Sequence, residues 1–252
     1  MNSEIFSRLM ILAKYCAFEI IKYKYIKIIS HIDTDGISSA SIIYKCLKRK
    51  NINCEVRFIK KLDEKILDEL KLENQKLIIF TDLGSTYIDY IIKLNLNCII
   101  LDHHEINGKK ENIRKMIYLL NPHLFGYNGS FEVSGSGISY ILASQLGENN
   151  DLIPLAIVGA IGDMQNQKHR KLIGINREIL NIGIQNKMVQ ASLDLSFFGK
   201  QTRKLYKILQ YSSDLYLPEL TGNEKNCINF IRKICNKYNK HDNIYWYNLS
   251  LI

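Results

Sequence analysis

Residues 3–22 carry apolar side chains at helical spacing, with no Pro or Gly, and predict a leading helix. From Tyr25 to Ser30 the pattern changes. Apolar and β-branched residues follow one another without alternation, which is the signature of a strand covered on both faces. Helical spacing returns from Gly36 to Lys50, with Ile37, Ala40, Ile43, Tyr44 and Leu47 on one face. The exchange then repeats. Residues 53–59 predict a strand, and residues 63–72 a helix with Leu67 and Leu70 turned inward. Lys76 to Thr81 reads as a third strand, Thr86 to Leu94 as a helix, and Asn97 to Leu101 as a fourth strand.

Residues 105–116 are polar and charged, and predict a loop or a short surface helix. Ile117 to Leu120 predicts a fifth strand that stops at Asn121-Pro122. Two helices follow, 137–147 and 151–162, with Pro154 in the first turn of the second, where its missing N–H costs nothing. From about 172 to 238 the pattern reads as several helices, and the sequence shows no internal repeat, low-complexity segment or Gly/Ser linker. Strands alternating with helices, and strands that are apolar throughout, predict an α/β fold. Its expected centre is a mostly parallel five-stranded sheet flanked by helices over residues 25–165. A leading helix (1–24) precedes it and a helical C-terminal portion (166–252) follows.

Composition narrows this picture only a little. Of 252 residues, 46% are hydrophobic and 23% charged, so the chain can bury a core and is not broadly disordered. The net charge of +9 favours acidic partners, nucleic acid first among them. Lys is abundant throughout, however, so charge alone does not decide the partner. The six cysteines form no CxxC pair, which argues against a structural zinc site, and they are too sparse in a chain of this size for a disulfide scaffold, so a reducing, cytoplasmic setting is expected. Cys98 falls in an apolar run and is expected in the core. Met10-Ile11-Leu12-Ala13 is bracketed by Arg8 and Lys14, too short a run for a signal segment or a membrane span.

Chemistry collects where the predicted strands end. In an open parallel sheet, ligands bind beyond the carboxyl ends of the strands. The first strand runs directly into His31-Ile32-Asp33-Thr34-Asp35-Gly36, the third into Asp82, and the fourth into Asp102-His103-His104. Each piece alone has an ordinary explanation: a turn, a helix cap, a chance pair of histidines. Together they crowd carboxylates and imidazoles at one sheet edge, which is costly unless a cation neutralises them. Oxygen and imidazole donors suit Mn2+, Mg2+ or Zn2+.

These residues, in this order, resemble the DHH phosphoesterase superfamily, and most closely its RecJ-like single-strand-specific exonuclease branch. Ser30-His31-Ile32-Asp33-Thr34-Asp35-Gly36-Ile37-Ser38-Ser39-Ala40 resembles the first family motif and Thr81-Asp82-Leu83-Gly84 the second. Asp102-His103-His104 resembles the third, which names the family, and Gly159-Ala160-Ile161-Gly162-Asp163-Met164 the fourth. The Asn121-Pro122-His123 turn, the helix start Ser134-Gly135-Ser136-Gly137, and the stretches Phe198 to Arg203 and Pro218 to Glu224 look like the archaeal RecJ-like proteins.

The resemblance implies two divalent ions, Mn2+ foremost and Mg2+ as the alternative. His31, Asp33 and Asp82 would hold one; Asp35, Asp82, His103 and Asp163 the other, with Asp82 shared. It implies that His104 meets the phosphate and that Asp102 orients an imidazole. The family's second, DHH-associated domain, with its Gly-rich motif, is expected to be absent, since no GG dipeptide occurs before Ile252. Lys168, His169, Arg170 and Lys171 are candidates for strand contacts, or simply a solvated loop. Three functions stay open: hydrolysis of single-stranded DNA or RNA, hydrolysis of small phosphoesters or short oligonucleotides, and a replication scaffold bound to GINS or to another replication or repair protein.

Overall fold

Strand β1 (Tyr25–His31) is buried along almost its whole length, and so occupies the middle of a sheet. It pairs with β2 (Asn53–Ile59) on one side and β3 (Ile78–Thr81) on the other. Beyond β3 lie β4 (Cys98–Leu101) and the two-residue β5 (Leu119–Leu120). The five strands are all parallel, in the order β2-β1-β3-β4-β5. This is a computed structural model, and it describes residues 3–115, 118–192, 194–195, 197–213, 215–237 and 244–247. Ile117, the expected start of the fifth strand, lies outside the described residues.

Alternation along the inner strands sorts their side chains between two layers, as the period of two requires. Ile28, Ile79, Ile99 and Leu101 belong to one core, with Leu9, Ile43, Ile141, Ile153 and Ile175. These come from α1 (Ser3–Ile20), α2 (Thr34–Arg49), α6 (Gly135–Gln145), α7 (Ile153–Gly162) and α8 (Gly174–Gln185). Ile29, Phe80 and Ile100 belong to the opposite core, with Leu67, Leu70, Ile88 and Ile91. That layer is built by α3 (Glu64–Leu72) and α4 (Ile88–Lys93). Short α5 (Lys110–Lys115) follows β4. Cys98 is in the core, as its apolar run predicts. Helix α2 departs from expectation: Ile37 and Tyr44 are 45% and 39% exposed. Its buried arc is centred instead on Ser39, Ile43 and Cys46, because α2 packs against both α6 and α7 as well as the sheet.

The chain divides into two compact units, Met1–Ala191 and Ser192–Ile252. In the second unit, α9 (Leu205–Gln210) and α10 (Glu224–Lys237) enclose a small core of Leu205, Leu209, Cys227, Ile231, Cys235 and Ile244. A lone antiparallel bridge joins Lys204 to Tyr245. No described helix is long and apolar enough to cross a membrane.

Candidate metal centre

Parallel register brings the strand ends level. Ser30 lies beside Thr81, and Thr81 beside Leu101, so the residues that follow each strand emerge together. Asp82 takes the centre. It is 2% exposed and adopts a left-handed backbone conformation, φ 60°, which Asp tolerates better than most residues. Its amide still donates to the Leu101 carbonyl at 2.8 Å. The carboxylate lies 3.6 Å from His31 Nδ1, 3.2 Å from His103 Nε2 and 4.0 Å from His104 Nδ1.

On one side of Asp82 stand His31 and Asp33. Asp33 caps α2 by accepting from the Gly36 amide through Oδ1, while Oδ2 lies 3.0 Å from His31 Nδ1. His31 Nε2 donates to the Lys60 carbonyl at 3.2 Å, which leaves the Nδ1 lone pair facing the carboxylates. On the other side stand Asp35, His103 and Asp163. His103 Nε2 is 3.7 Å from both Asp35 Oδ2 and Asp163 Oδ2. The His103 Nδ1–H donates to the Gly129 carbonyl at 2.7 Å and so fixes the tautomer with Nε2 free. Asp35, in the first turn of α2, is fully enclosed and accepts from the Gly135 and Ser136 amides at 2.6 and 2.9 Å. Those amides open α6, so a helix N-terminus stabilises the buried charge.

His31, Asp33 and Asp82 form one group whose donor atoms lie within 4.8 Å of one another, and Asp35, His103 and Asp163 form another. Asp82, His103 and His104 also satisfy that spacing. His104, however, commits its Nδ1–H to Asp102 Oδ1 at 2.8 Å, so its free nitrogen, Nε2, is the one away from Asp82. The fit to a cation rests on unmet demand. Both oxygens of Asp82 and Nε2 of His103 are buried without a hydrogen-bond partner, although the two residues nearly touch. Buried polar atoms are rarely left so, and a divalent ion between these groups would satisfy all three.

The electrostatics agree. Burial pushes the Asp82 carboxyl up to about 8, with the Asp35 and Asp33 charges adding to it against His103. Burial opposes a proton on His103, but Asp82, Asp35 and Asp102 outweigh it and push the imidazole up to about 10. Without a cation, the site therefore retains protons that an isolated carboxylate and imidazole would shed. Asp102 is buried too, yet His104, His103 and the Ser85 amide hold it well below the usual carboxylate range. It accepts from the backbone amides of Ser85, His103 and His104 at 2.9, 2.8 and 3.2 Å. In return, the Asp102 hydrogen bond raises His104.

His104 is half exposed and borders a cleft of about 220 Å3 that His31, Lys60, Lys61, Asp82, Thr86 and Tyr87 also line. Lys168, His169, Arg170 and Lys171 are exposed after α7, with Lys168 4.2 Å above the Phe131 ring.

Several positioning residues carry no sequence signal of their own. Gln165 is completely buried; its Nε2 lies 2.9 Å from Asp163 Oδ2 and 2.8 Å from the Gly129 carbonyl, while its Oε1 accepts from Asn176 at 2.5 Å. One amide thus holds a candidate ligand and the carbonyl that orients His103. Gly129 and Gly159 are needed for closeness. A methyl group at Gly129 would overlap the His103 carbonyl, and one at Gly159 would overlap Ser136 Oγ and the Asp35 carboxylate.

The chain is similar to known proteins. A family model described as the DHH family, N-terminal domain, matches residues 25–162. A second, the DHH-CID domain, matches residues 197–251, within the stretch expected to be a helical extension. An uncharacterized protein of Methanocaldococcus jannaschii is 39% identical over 215 residues, covering 84% of this chain and 48% of that protein. The single-stranded-DNA-specific exonuclease RecJ of Bacillus subtilis is 27% identical over 172 residues, 64% of this chain and 21% of that protein. The chain thus spans half or less of the length of these relatives. The crystal structure of RecJ from Thermus thermophilus in complex with Mn2+ shares the fold over 70% of this chain and 26% of that one, with TM-score 0.54 and 20% identity.

Proposed function

Because the chain belongs to the DHH family, we propose that it is a metal-dependent phosphoesterase that shortens single-stranded DNA or RNA from an end. The observation that carries this reading is the buried, unpartnered Asp82 carboxylate between two groups of ligands. His31, Asp33 and Asp82 would hold one divalent ion; Asp35, Asp82, His103 and Asp163 would hold the second. When bound, such a pair supplies positive charge to the phosphate and makes water a stronger acid near neutral pH. Mn2+ or Mg2+ suits this set of carboxylate oxygens and imidazoles.

The chain's own groups do the rest. Lys60 O and Gly129 O hold the two ligand imidazoles in the tautomers that face the carboxylates. Asp102 keeps a proton on His104 Nδ1 and favours the imidazolium, whose Nε2–H is then free to donate to a phosphate oxygen. Lys60 and Lys61 border the same cleft and offer charge to a neighbouring phosphate. A strand supplies such phosphates in series, which favours a nucleic acid over a lone phosphoester. The resemblance to a single-strand-specific exonuclease supports the same choice.

The test is to incubate the protein with end-labelled single strands of several lengths, with Mn2+, with Mg2+ and with EDTA. Stepwise shortening that requires metal and grows with strand length supports the proposal. Cleavage that persists in EDTA, or is confined to the shortest strands, overturns it.

Protons should compete with the metal. Asp82 near 8 and His103 near 10 both hold protons at neutral pH that a bound cation must displace. Mn2+ affinity should therefore rise with pH, by about tenfold per unit for each proton displaced, less steeply once the pH passes about 8 and levelling only above about 10. The metal-free fold should respond in the opposite sense. Both groups have folded values above their unfolded ones, so their contribution is greatest in acid and is lost as pH rises through 8 to 10. Titration calorimetry in buffers of different ionisation enthalpy, at pH 6, 7 and 8, measures the protons released. A flat affinity with no release would show that these groups do not meet the ion.

A further inference from the structure

Within the Ser192–Ile252 unit, a glycine turn builds an arrangement that the metal centre does not use. Gly199 has φ 81°, and Arg203 donates its amide back to the Gly199 carbonyl at 2.9 Å. The Arg203 stem then lies against Gly199 so closely that a methyl group there would meet its Cδ at 2.7 Å. Held this way, the guanidinium stands 5.1 Å from the Phe198 ring and 5.4 Å from the Tyr211 ring. Lys207, in the first turn of α9, lies 5.4 Å from both the Tyr206 and Tyr211 rings.

Exposure is what sets this cluster apart. Phe198 is 80% exposed and Tyr211 56%, although large rings usually gain by burial. Rings that hold cations over them while more than half of each residue's surface stays in solvent are poor core and poor solvated surface alike. Charge is unevenly neutralised as well. Lys207 pairs with Glu224 at 3.1 Å and, nearby, Lys200 pairs with Asp194 at 2.6 Å. Among the described residues Arg203 has no carboxylate partner.

We propose that Phe198, Arg203, Lys207 and Tyr211 form a binding surface for single-stranded nucleic acid. The exposed rings would stack on unpaired bases, and Arg203 and Lys207 would meet the phosphates between them. Rings interleaved with cations suit a strand, which offers both unpaired base faces and phosphates. A duplex hides its base faces and would use only the cations. An acidic protein would use the charges but gain little from two solvent-facing rings. The proposed substrate class guides the choice of probe, but the surface can hold a strand whether or not the metal centre cuts it.

The experiment is fluorescence anisotropy of a labelled 20-nucleotide oligothymidylate with the full chain in EDTA, so that binding is read apart from hydrolysis. The parent should prefer the single strand to a duplex of equal length. Phe198→Ala with Tyr211→Ala should weaken binding by about tenfold or more and leave the salt dependence intact, because stacking releases no counterions. Arg203→Gln should weaken binding and lower the salt slope by about one. Circular dichroism checks the fold, which truncating two exposed rings should not disturb. A parent that fails to bind or prefers duplex, or a ring variant that binds like the parent, overturns the proposal. A parent that binds the strand in EDTA but does not cut it when Mn2+ is supplied instead would count against the metal centre alone.

Discussion

Asp82→Asn should nearly abolish hydrolysis while leaving the fold standing. Asn has the same shape, tolerates the left-handed backbone at this position, and keeps the amide bond to Leu101. What changes is charge. Asp82 is the side chain common to both sides of the centre, 3.6 Å from His31 and 3.2 Å from His103. Its loss removes one negative ligand from each proposed ion. Loss of a single positioned group that stabilises a transition state costs about 10²–10³ in rate. A residue serving both ions should cost at least about 10³. Calorimetry should show weaker binding at both positions.

Stability distinguishes this from simple damage. A buried carboxyl pushed up to about 8 is a burden on the metal-free fold once it ionises. Metal-free Asp82→Asn should therefore melt at or above the parent temperature at pH 9, and the stabilisation by Mn2+ should shrink. A variant that binds two ions with parental affinity and cuts normally would remove Asp82 from the centre.

Much of this architecture is legible in the residues because the inner strands of the sheet are buried on both faces. Continuous apolar runs mark β1, β3 and β4, and the same burial explains why acids placed just beyond them stand out. His31, Asp82 and His103 are therefore visible as a set from the order of residues alone. Asp163 is different: it caps the C-terminus of α7, far in sequence from any strand end, and only the resemblance of Gly159 to Met164 to a family motif singles it out. The face of α2 is harder to read. Ile37 and Tyr44 share the apolar spacing, but the arc turned toward α6 and α7 passes through Ser38, Ser39 and Cys46, small residues that permit a close approach. The carbonyls of Lys60 and Gly129 have no sequence signature at all, since every residue carries one. Gln165 and Asn176 read as ordinary polar residues of a turn and a helix; only their burial and mutual bond reveal them.

His104→Ala should separate phosphate chemistry from metal binding. The imidazole is half exposed beside the cleft, so its removal opens no core. Asp102 loses one partner but keeps the Ser85, His103 and His104 amides, because all three belong to the backbone. The buried carboxylate thus remains satisfied, and the loop after β4 should hold its shape. The candidate ligands are untouched, so Mn2+ stoichiometry and affinity should match the parent, while turnover falls by about 10²–10³ through loss of one charged donor. The pH profile adds a second reading. The Asp102 hydrogen bond raises His104, so the imidazolium persists above its ordinary range and discharges as pH climbs further. Parent activity should therefore decline at high pH, and the variant should lack that decline. The acid limb, set by protons on Asp82 and His103, should survive in both. Should His104→Ala lose an ion, His104 would be a ligand and Asp82, His103 and His104 would form the working triad. Should it retain full turnover and the same alkaline limb, the phosphate must meet another donor, and Lys60 and Lys61 would be next to replace.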